Sequence, residues 1–400
     1  MKKISLSSIA LLIIIMTLSV PVTNALAQSQ PSVEDIEAKI DALLNEYKSE
    51  LMYELANGNT AIEVDDGERT LILVGESAKK IELLWQETTK KINALQARPE
   101  VQQDRAIAAI QIVEPGVHVT YIEKDKSPYD MTSELEKYHT EKYYYWVEVE
   151  SNQIVQIDLI DHLISSPSNL YSPIDLETKA LSFLQLIDPE VELKNMKSLF
   201  TNKENENYFF RWEDPLHKIN GQMSSFIQVG FRKDGSLLGY VNTFPLLEKT
   251  KSSIITSFNE VYANGGDYWI WRYGSYTPAE NAGYCYIFGW CSPKDFYWTY
   301  TTNGTATAKG VWAPNPNTTV KVAAFIPGTY ATTIQACYTI KYNGGASLYN
   351  RCIIQNDYYD TWVVINTPNL YSVTKVFLVN STDGESGRKV AWDEIWVYTP

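Results

Sequence analysis

Histidine and cysteine are scarce in this sequence, which has four of each among 400 residues. The histidines are His118, His139, His162 and His217, and no two of them have the spacing of metal ligands. The H-E-x-x-H and G-x-S-x-G motifs, a glycine-rich phosphate loop and an acidic calcium loop are also missing. We therefore expect no catalytic residue, no metal and no cofactor. Paired carboxylates of a glycoside hydrolase have no sequence signature, so a polysaccharide-degrading enzyme stays an alternative.

After residue 27 no stretch approaches the ~20 apolar residues that a transmembrane helix needs. The apolar run Ile9–Val20 follows Lys2 and Lys3 and precedes Ala25-Leu26-Ala27, which is the pattern of a secretory signal peptide with its cleavage site. We expect residues 1–27 to be removed, and the mature chain to be secreted without a membrane span.

Basic residues are also few, with 34 Lys and Arg against 48 Asp and Glu, for a net charge of −14. Residues 251–400 hold ten of each sign, so the acidic excess lies between residues 28 and 250. Nucleic acids and anionic membranes bind basic surfaces, so neither is an expected partner.

All four cysteines lie in residues 251–400, and in an exported chain they predict two disulfides. Of the three pairings we favour Cys337–Cys352 and Cys285–Cys291. The turn 343–346 lies midway between Cys337 and Cys352, so a hairpin centred there sets the two residues opposite each other. The competing zinc site is weakly supported, because this part of the chain has no histidine and no paired C-x2-C.

Residues 28–250 alternate between helical and strand patterns. Apolar spacing predicts helices over 32–57, 76–97, about 101–110 and 176–186. Short turns at Ser151-Asn152-Gln153 and Asp234-Gly235 separate pairs of strand-like segments. The order helix, strand, hairpin occurs twice, so we predict two α+β units, 28–165 and 166–250, joined by a linker near Ser165–Pro173.

The two hairpins, Trp146–Ile154 and Phe226–Leu237, resemble the PepSY type of domain, although Gln153 replaces a turn glycine in the first. The resemblance implies non-catalytic modules outside the membrane, often found in propeptides of secreted peptidases. These units would be a spacer or a protein-binding module. An alternative function is an inhibitor or chaperone-like partner of a secreted hydrolase.

Residues 251–400 have short strand patterns broken by Gly, Pro and Asn, which predict an all-β, jelly-roll-like sandwich. The predicted fold class is therefore multidomain, with N-terminal helices and two α+β units before the sandwich. Eight of the eleven tryptophans lie in this last part. Trp362 and Trp392 are expected in its core, and Trp396 alternates with Trp392, which favours the same face.

This part of the chain resembles the golvesin-type, or xanthan-lyase-type, C-terminal domain. The matching segments are Phe296–Tyr300, Gly310–Pro314, Val322–Thr333 and Val390–Ile395, together with Gln355 and Trp362. The segment Val363-Val364-Ile365 and the Cys337–Cys352 pair depart from the family pattern. The resemblance implies a carbohydrate-associated accessory domain of extracellular proteins and no catalysis.

Sugar rings stack their C–H faces on exposed Trp and Tyr, and this domain is rich in both. The candidate ligand-binding residues are those outside the regular strands: Trp269, Trp271, Tyr273, Trp290, Tyr358, Tyr359 and Asp360. The segment Asp267–Trp271 alternates like a strand, so its aromatic residues have a structural interpretation too. The predicted function is a secreted, non-catalytic protein of bacterial type that binds a polysaccharide or a glycosylated surface.

Overall fold

A computed structural model describes residues 33–65, 68–97, 100–130, 133–160, 170–203, 206–219, 223–247, 259–262, 269–273, 277–280 and 295–400. The predicted signal peptide, the predicted linker and the Cys285–Cys291 pair therefore lie outside, or largely outside, the described residues. No described helix is long and apolar enough to cross a membrane. The helices are α1 Val33–Asn57, α2 Gly75–Gln96, α3 Glu100–Val113 and α4 Pro173–Ile187, close to the four predicted positions.

Ten described strands precede the C-terminal part. They are β1 Thr60–Asp65, β2 Glu68–Leu73, β3 Thr120–Lys126, β4 Glu134–His139, β5 Tyr143–Glu148, β6 Ile154–Leu159, β7 Lys197–Lys203, β8 Asn207–Ile219, β9 Met223–Arg232 and β10 Leu237–Asn242.

Fifteen described strands follow. They are β11 Asn259–Tyr262, β12 Trp269–Tyr273, β13 Thr277–Glu280, β14 Asp295–Tyr300, β15 Thr302–Asn303, β16 Lys309–Trp312, β17 Thr319–Ile326, β18 Ala336–Tyr342, β19 Ser347–Ile353, β20 Thr361–Val364, β21 Leu370–Tyr371, β22 Lys375–Val379, β23 Ser381–Thr382, β24 Lys389–Trp392 and β25 Ile395–Tyr398.

The helix-strand-hairpin order occurs twice, as α3 with β3–β6 and α4 with β7–β10. Each set of four strands forms an antiparallel meander. The two meanders join into one eight-stranded sheet of order β3-β4-β5-β6-β10-β9-β8-β7. Their junction is the antiparallel pair β6–β10, in which Ile157 lies opposite Tyr240. The two predicted α+β units are therefore halves of one sheet, related by an approximate twofold axis between β6 and β10.

Local chemistry explains where these elements begin and turn. The Ser172 Oγ accepts a hydrogen bond from the Asp175 amide, and the Asp175 side chain accepts one from the Ser172 amide, so α4 begins with a capping box before Pro173. At the two predicted hairpin turns, Asn152 and Gly235 have φ of 57° and 81°. Asn and Gly tolerate this left-handed region better than other residues.

The C-terminal part contains two packed antiparallel sheets, of order β11-β25-β17-β20 and β12-β16-β22-β18-β19, with smaller sheets at the ends. The predicted β-sandwich is thus present. In the hairpin β18–β19, Cys337 lies opposite Cys352 and the two form a disulfide, as predicted. Its turn has positive φ at Asn343, Gly344 and Gly345.

The sheet β11-β25-β17-β20 is buried on both faces. Along β17, Val322, Ala324 and Ile326 belong to the core of the sandwich. The alternate residues Ala323 and Phe325 belong to a second core, shared with the eight-stranded sheet. Helices α3 and α4 cover the other face of the eight-stranded sheet. Helices α3 and α4, the eight-stranded sheet and the two sheets of the sandwich therefore form four layers.

The predicted core tryptophans are divided between these two cores. Trp392 is fully buried inside the sandwich. Trp362 and Trp396 are also buried, but in the core between the sandwich and the eight-stranded sheet. The expectation that Trp396 shares the face of Trp392 is wrong, because β24 ends at Trp392 and β25 begins at Ile395, so the alternation is interrupted between them.

The N-terminal helices also pack on the sandwich. The Tyr47 hydroxyl donates a hydrogen bond to Asn343 Oδ1 at 3.0 Å, and the Trp85 indole N–H donates to the Asn369 carbonyl. The Leu73 amide donates to the Ala346 carbonyl at 3.0 Å. The α1–α2 hairpin therefore packs against the end of the sandwich where β18 turns into β19.

A buried ion cluster connects the eight-stranded sheet to β17. Lys321 Nζ lies 2.6 Å from Glu123 Oε1 and 2.7 Å from Asp125 Oδ2. Asp125 also accepts hydrogen bonds from the Trp146 indole (2.8 Å) and the Tyr398 hydroxyl (3.0 Å). Burial by itself raises the pKa of Asp125, but Lys321 and a second buried lysine outweigh that effect and hold this pKa below its usual range.

We predict that Lys321→Met lowers the free energy of unfolding at pH 7 by about 3–5 kcal/mol, because it removes the cation that contacts two buried carboxylates. Without Lys321, burial should raise the folded-state pKa of Asp125 above its unfolded value. The loss should therefore be complete above that pKa and shrink as the pH falls through it. Urea unfolding of the full chain at pH 7 and pH 5 measures both effects.

The matched control is Lys79→Met, which removes a lysine whose side chain is 70% exposed in its pair with Glu76. An exposed pair of this kind contributes little, so this variant should unfold like the wild type. Equal losses in the two variants would contradict the role assigned to Lys321.

Candidate functional site

The sequence-predicted ligand residues separate into two groups in the structure. Trp269, Trp271 and Tyr273 lie on β12, which pairs with β16, so this segment is a strand of the sandwich. Trp290 lies outside the described residues. The remaining three, Tyr358, Tyr359 and Asp360, lie in a segment that contacts the eight-stranded sheet, and the Tyr358 side chain belongs to the sandwich core.

The segment 358–360 makes dense contacts with that sheet. The Tyr359 ring stacks on the Phe209 ring at a centroid distance of 5.6 Å, and its carbonyl accepts a hydrogen bond from Gln228 Nε2 at 2.9 Å. Tyr358 and Asp360 are buried, and burial raises the pKa of both groups. These residues therefore form part of the interface between the α+β part of the chain and the sandwich, which we call the two halves. They do not offer an open surface.

An exposed aromatic surface does exist, on other residues of the sandwich. Trp298, Tyr300 and Tyr330 form a cluster that we call the aromatic shelf. The Trp298 and Tyr330 rings stack at 4.7 Å with 8° between their planes, and Tyr300 meets Trp298 edge-on at 5.4 Å. Tyr300 is 55% exposed and Tyr330 is 40% exposed. Large aromatic side chains with this exposure on a rigid sheet are suited to binding a ligand with a flat apolar face.

The strand β14 presents two of the three rings. Phe296, Trp298 and Tyr300 alternate along it and share one face. Phe296 is fully buried in the sandwich core, Trp298 is partly buried, and Tyr300 projects into solvent. Along β14 the exposure of the aromatic side chains increases from Phe296 to Tyr300. The packed part of the strand therefore supports the exposed ring at its end.

The third ring comes from a constrained loop. Tyr330 has φ of 56°, a left-handed conformation that is rare and costly for a residue other than glycine. Gly328 lies against the Tyr359 ring, and a Cβ at this position would be 2.4 Å from it. The Gly328 amide donates to Asp360 Oδ1 at 2.6 Å. The segment 358–360, buried against the eight-stranded sheet, therefore fixes the loop that presents Tyr330.

Lys203, from the end of β7, holds the same loop. Its buried ammonium donates hydrogen bonds to the carbonyls of Pro327 at 3.2 Å and Ala331 at 3.4 Å, on either side of Tyr330. The same group also donates to the carbonyls of Gln355 and Tyr358. Burial lowers the pKa of Lys203 to about 7, although Asp360 and Asp357 oppose this effect. A residue of the α+β half therefore helps to position the aromatic shelf of the sandwich.

Lys389 completes the shelf. It lies directly opposite Tyr300 in the β14–β24 pair, so the two side chains share a face of this sheet. Its Nζ is 5.4 Å from the Trp298 ring centroid and 5.0 Å from the Tyr330 ring centroid. Its carbonyl accepts hydrogen bonds from the Thr332 and Thr333 amides, at 2.8 and 2.9 Å, which fix the Tyr330 loop to β24.

A cleft of about 320 Å³ lies beside this loop, where the eight-stranded sheet meets the sandwich. Its charged side chains contact each other: Arg232 pairs with Asp357 at 3.0 Å, and Arg388 with Glu206 at 3.5 Å. The cleft is therefore a polar seam between the halves, with its charges largely balanced.

One adjacent pair of carboxylates, Glu213 and Asp214, has separate partners. Glu213 pairs with Arg211 at 2.9 Å, while the neighbouring Asp214 lies 2.6 Å from His217 Nδ1, so the two carboxylates point to different surroundings. Within the described residues, no group of three or more His, Cys, Asp and Glu side chains could hold a metal ion.

Sequence reasoning missed the aromatic shelf. It assigned Phe296–Tyr300 and Tyr330 to segments that resemble a family and did not consider their exposure. Two signals were present: an aromatic residue at the polar end of a strand, Tyr300 before Thr301, and Tyr330 within a loop that begins Pro327-Gly328. Neither signal can show that the two segments meet.

No family model matches this chain, and no curated protein matches it. Among solved structures it is similar to a Paenibacillus xanthan lyase (10% identity, TM-score 0.29), over 67% of this chain but only 35% of that one. It is also similar to the Bacillus megaterium YpeB C-terminal domain (10%, TM-score 0.28), over 68% of this chain and 99% of that one. A family 35 carbohydrate-binding module from Clostridium thermocellum (12%, TM-score 0.23) matches over 35% of this chain and 98% of that one. Similarities this weak assign no family, and the PepSY and golvesin resemblances stay predictions.

We predict that Lys203→Met destabilises the protein, because several buried carbonyls lose their donor and each buried unsatisfied group costs about 1–3 kcal/mol. The difference in unfolding free energy between Lys203→Met and wild type should depend on pH. The unfolded chain keeps the lysine proton up to about pH 10.4, whereas the folded chain releases it near pH 7. Wild-type stability should therefore rise relative to the variant by up to about 1.4 kcal/mol per pH unit between pH 7 and pH 9.

Chemical unfolding of both proteins at pH 6, 7, 8 and 9 measures this difference. A difference in stability that stays constant over the series would show that Lys203 does not titrate in this range.

Proposed function

We propose that this protein binds polysaccharide, or a glycosylated surface, at the aromatic shelf and does so without catalysis. The observation that carries the proposal is the stack of the partly buried Trp298 on the exposed Tyr330, beside the exposed Tyr300. A pyranose presents a flat face of C–H groups, and an exposed aromatic ring is the protein surface that complements it. The hydroxyl groups around the sugar then remain available to nearby polar groups.

The rigidity of the shelf supports the same proposal. Trp298 extends from a strand rooted in the core, and Tyr330 sits in a loop fixed at both ends by Lys203. A surface that is already ordered loses less conformational entropy when it binds a ligand, so more of the contact energy appears as affinity. The left-handed backbone of Tyr330 is a cost in stability, and such strain is concentrated at functional positions.

The non-catalytic part of the proposal rests on the carboxylate that contacts the same loop. Glu385 accepts hydrogen bonds from the Thr333 hydroxyl at 2.7 Å and the Ile334 amide at 3.2 Å. Arg388 lies 3.4 Å from it. A general acid or nucleophile of a glycosidase must be free to meet the scissile bond. Glu385 instead has a structural role in fixing the loop.

We also place the protein outside the cell. The Cys337–Cys352 disulfide supports this, since disulfides form and persist in oxidising compartments. The role of an inhibitor or chaperone-like partner of a secreted hydrolase stays a prediction for the α+β half, with no contact that favours it.

We predict that Tyr330→Gly separates binding from folding. Glycine adopts a positive φ without strain, so the loss of the ring contacts is partly offset and the unfolding free energy should change by less than about 1 kcal/mol. Affinity for the bound polysaccharide should fall about 2- to 12-fold, the equivalent of one aromatic contact of 0.5–1.5 kcal/mol. Affinity electrophoresis over a polysaccharide panel, followed by calorimetry on the polymer that binds, measures the change.

Tyr300→Ala should weaken binding in the same range. Tyr53→Ala is the matched control, because Tyr53 is 58% exposed on α1, away from the shelf. If wild type retains no polysaccharide of the panel, or if Tyr53→Ala weakens binding as much as Tyr330→Gly, the proposed function is wrong.

A further inference from the structure

The ammonium of Lys389 is the feature of the aromatic shelf that stacking alone does not explain. It lies beside two rings and opposite a third, in a partly buried position. Among the residues whose side chains the structure describes, it has no hydrogen bond and no ion pair. The two rings provide a cation–π contact, but they leave the charge of the ammonium without a described anionic partner.

The neighbouring residue shows the contrast. Arg388 donates a hydrogen bond to the Thr332 carbonyl at 3.1 Å and pairs with Glu385 and Glu206, at 3.4 and 3.5 Å. Arg388 immediately precedes β24, and Lys389 is the first residue of that strand. One cation therefore meets anions of the protein at the seam between the halves, while the other faces the shelf and meets only aromatic rings.

Two buried lysines also meet acceptors of the protein. Lys321 meets two carboxylates, and Lys203 meets four carbonyls. Lys389 instead lies at the aromatic shelf, where three aromatic side chains, two of them well exposed, converge. An anion that pairs with Lys389 would lie in the solvent-exposed space next to the rings of the aromatic shelf.

We propose that the shelf recognises an acidic polysaccharide, in which the carboxylate of a uronic acid residue pairs with Lys389 while the sugar ring stacks on the shelf. This inference rests on the proposed function and names its ligand class. The carboxylate of a uronate projects from the edge of the sugar ring, so stacking brings it to the perimeter of the aromatic ring below. The Lys389 ammonium lies over the Tyr330 and Trp298 rings, 5.0 and 5.4 Å from their centroids, so a carboxylate at the edge of a stacked sugar can approach it.

The charge distribution is compatible with such a partner. The chain as a whole carries −14, but residues 251–400 hold equal numbers of basic and acidic residues. The ion pair at Lys389 is partly desolvated by the rings, which strengthens it relative to an exposed pair.

The test compares uronate polymers with their own methyl esters, which keep the backbone and remove the charge. The probes are polygalacturonate, alginate and hyaluronate, each as the acid form and as the ester, measured by affinity electrophoresis with the full chain. Wild type should bind the acid form (the ionised carboxylate) of at least one polymer about 10-fold more tightly than its ester. This ratio corresponds to the free energy of about one hydrogen bond to a charged group. Lys389→Gln should lose that preference and bind both forms as the wild type binds the ester.

Two further variants make the outcomes distinct. Lys79→Gln removes the same charge at an exposed, remote site and should keep the preference. Tyr330→Gly should weaken both forms together. If no acid form is preferred over its ester, or if the preference survives Lys389→Gln, the inference is overturned. The proposed function would still stand in that case if the protein binds neutral polymers. If Tyr330→Gly leaves every affinity unchanged, the shelf is not the binding surface and both proposals fail.

Discussion

The burial of one sheet on both of its faces determines how this protein is assembled. In β17, Val322, Ala324 and Ile326 fill the sandwich core, while the residues between them face the eight-stranded sheet. A sandwich standing alone would expose Trp362 and Trp396, an apolar patch that a soluble domain cannot leave open without cost. The buried ion cluster of Lys321 lies on this same face, and a mispaired arrangement would leave its charges uncompensated. Each half therefore needs the other to bury the apolar side chains and the ion cluster at their interface.

This dependence reaches the aromatic shelf. The loop that presents Tyr330 is held by Lys203, from the α+β half, and by Asp360, from the segment covered by that half. The aromatic residues of the sandwich consequently have two roles. Tyr358 and Tyr359 anchor the halves to each other, whereas Trp298 and Tyr330 stack at a surface that no described element covers. The position of the Tyr330 loop in the aromatic shelf therefore depends on the packing of the two halves against each other.

Local patterns in the sequence predicted the elements well. The four helices, the hairpin turns at Asn152 and Gly235, and the Cys337–Cys352 pair all depend on residues within about 25 positions of each other, which spacing and turn chemistry specify. The pairing of β6 with β10 was not predictable in this way. It joins two meanders through the edges of their last strands, and main-chain pairing of edges has no side-chain signature. The predicted separate units are one sheet for this reason.

The sequence by itself determined the class of the fold, the excess of aromatic residues near the C-terminus and the hairpin that carries the disulfide. It could not determine which aromatic rings meet solvent, because alternation along a strand indicates two faces but not what packs on each. Tyr358, in a connecting segment, is buried in the sandwich core, and Tyr300, within a strand pattern, is exposed. Only the tertiary structure decided between them, since exposure depends on neighbours that come from distant parts of the chain.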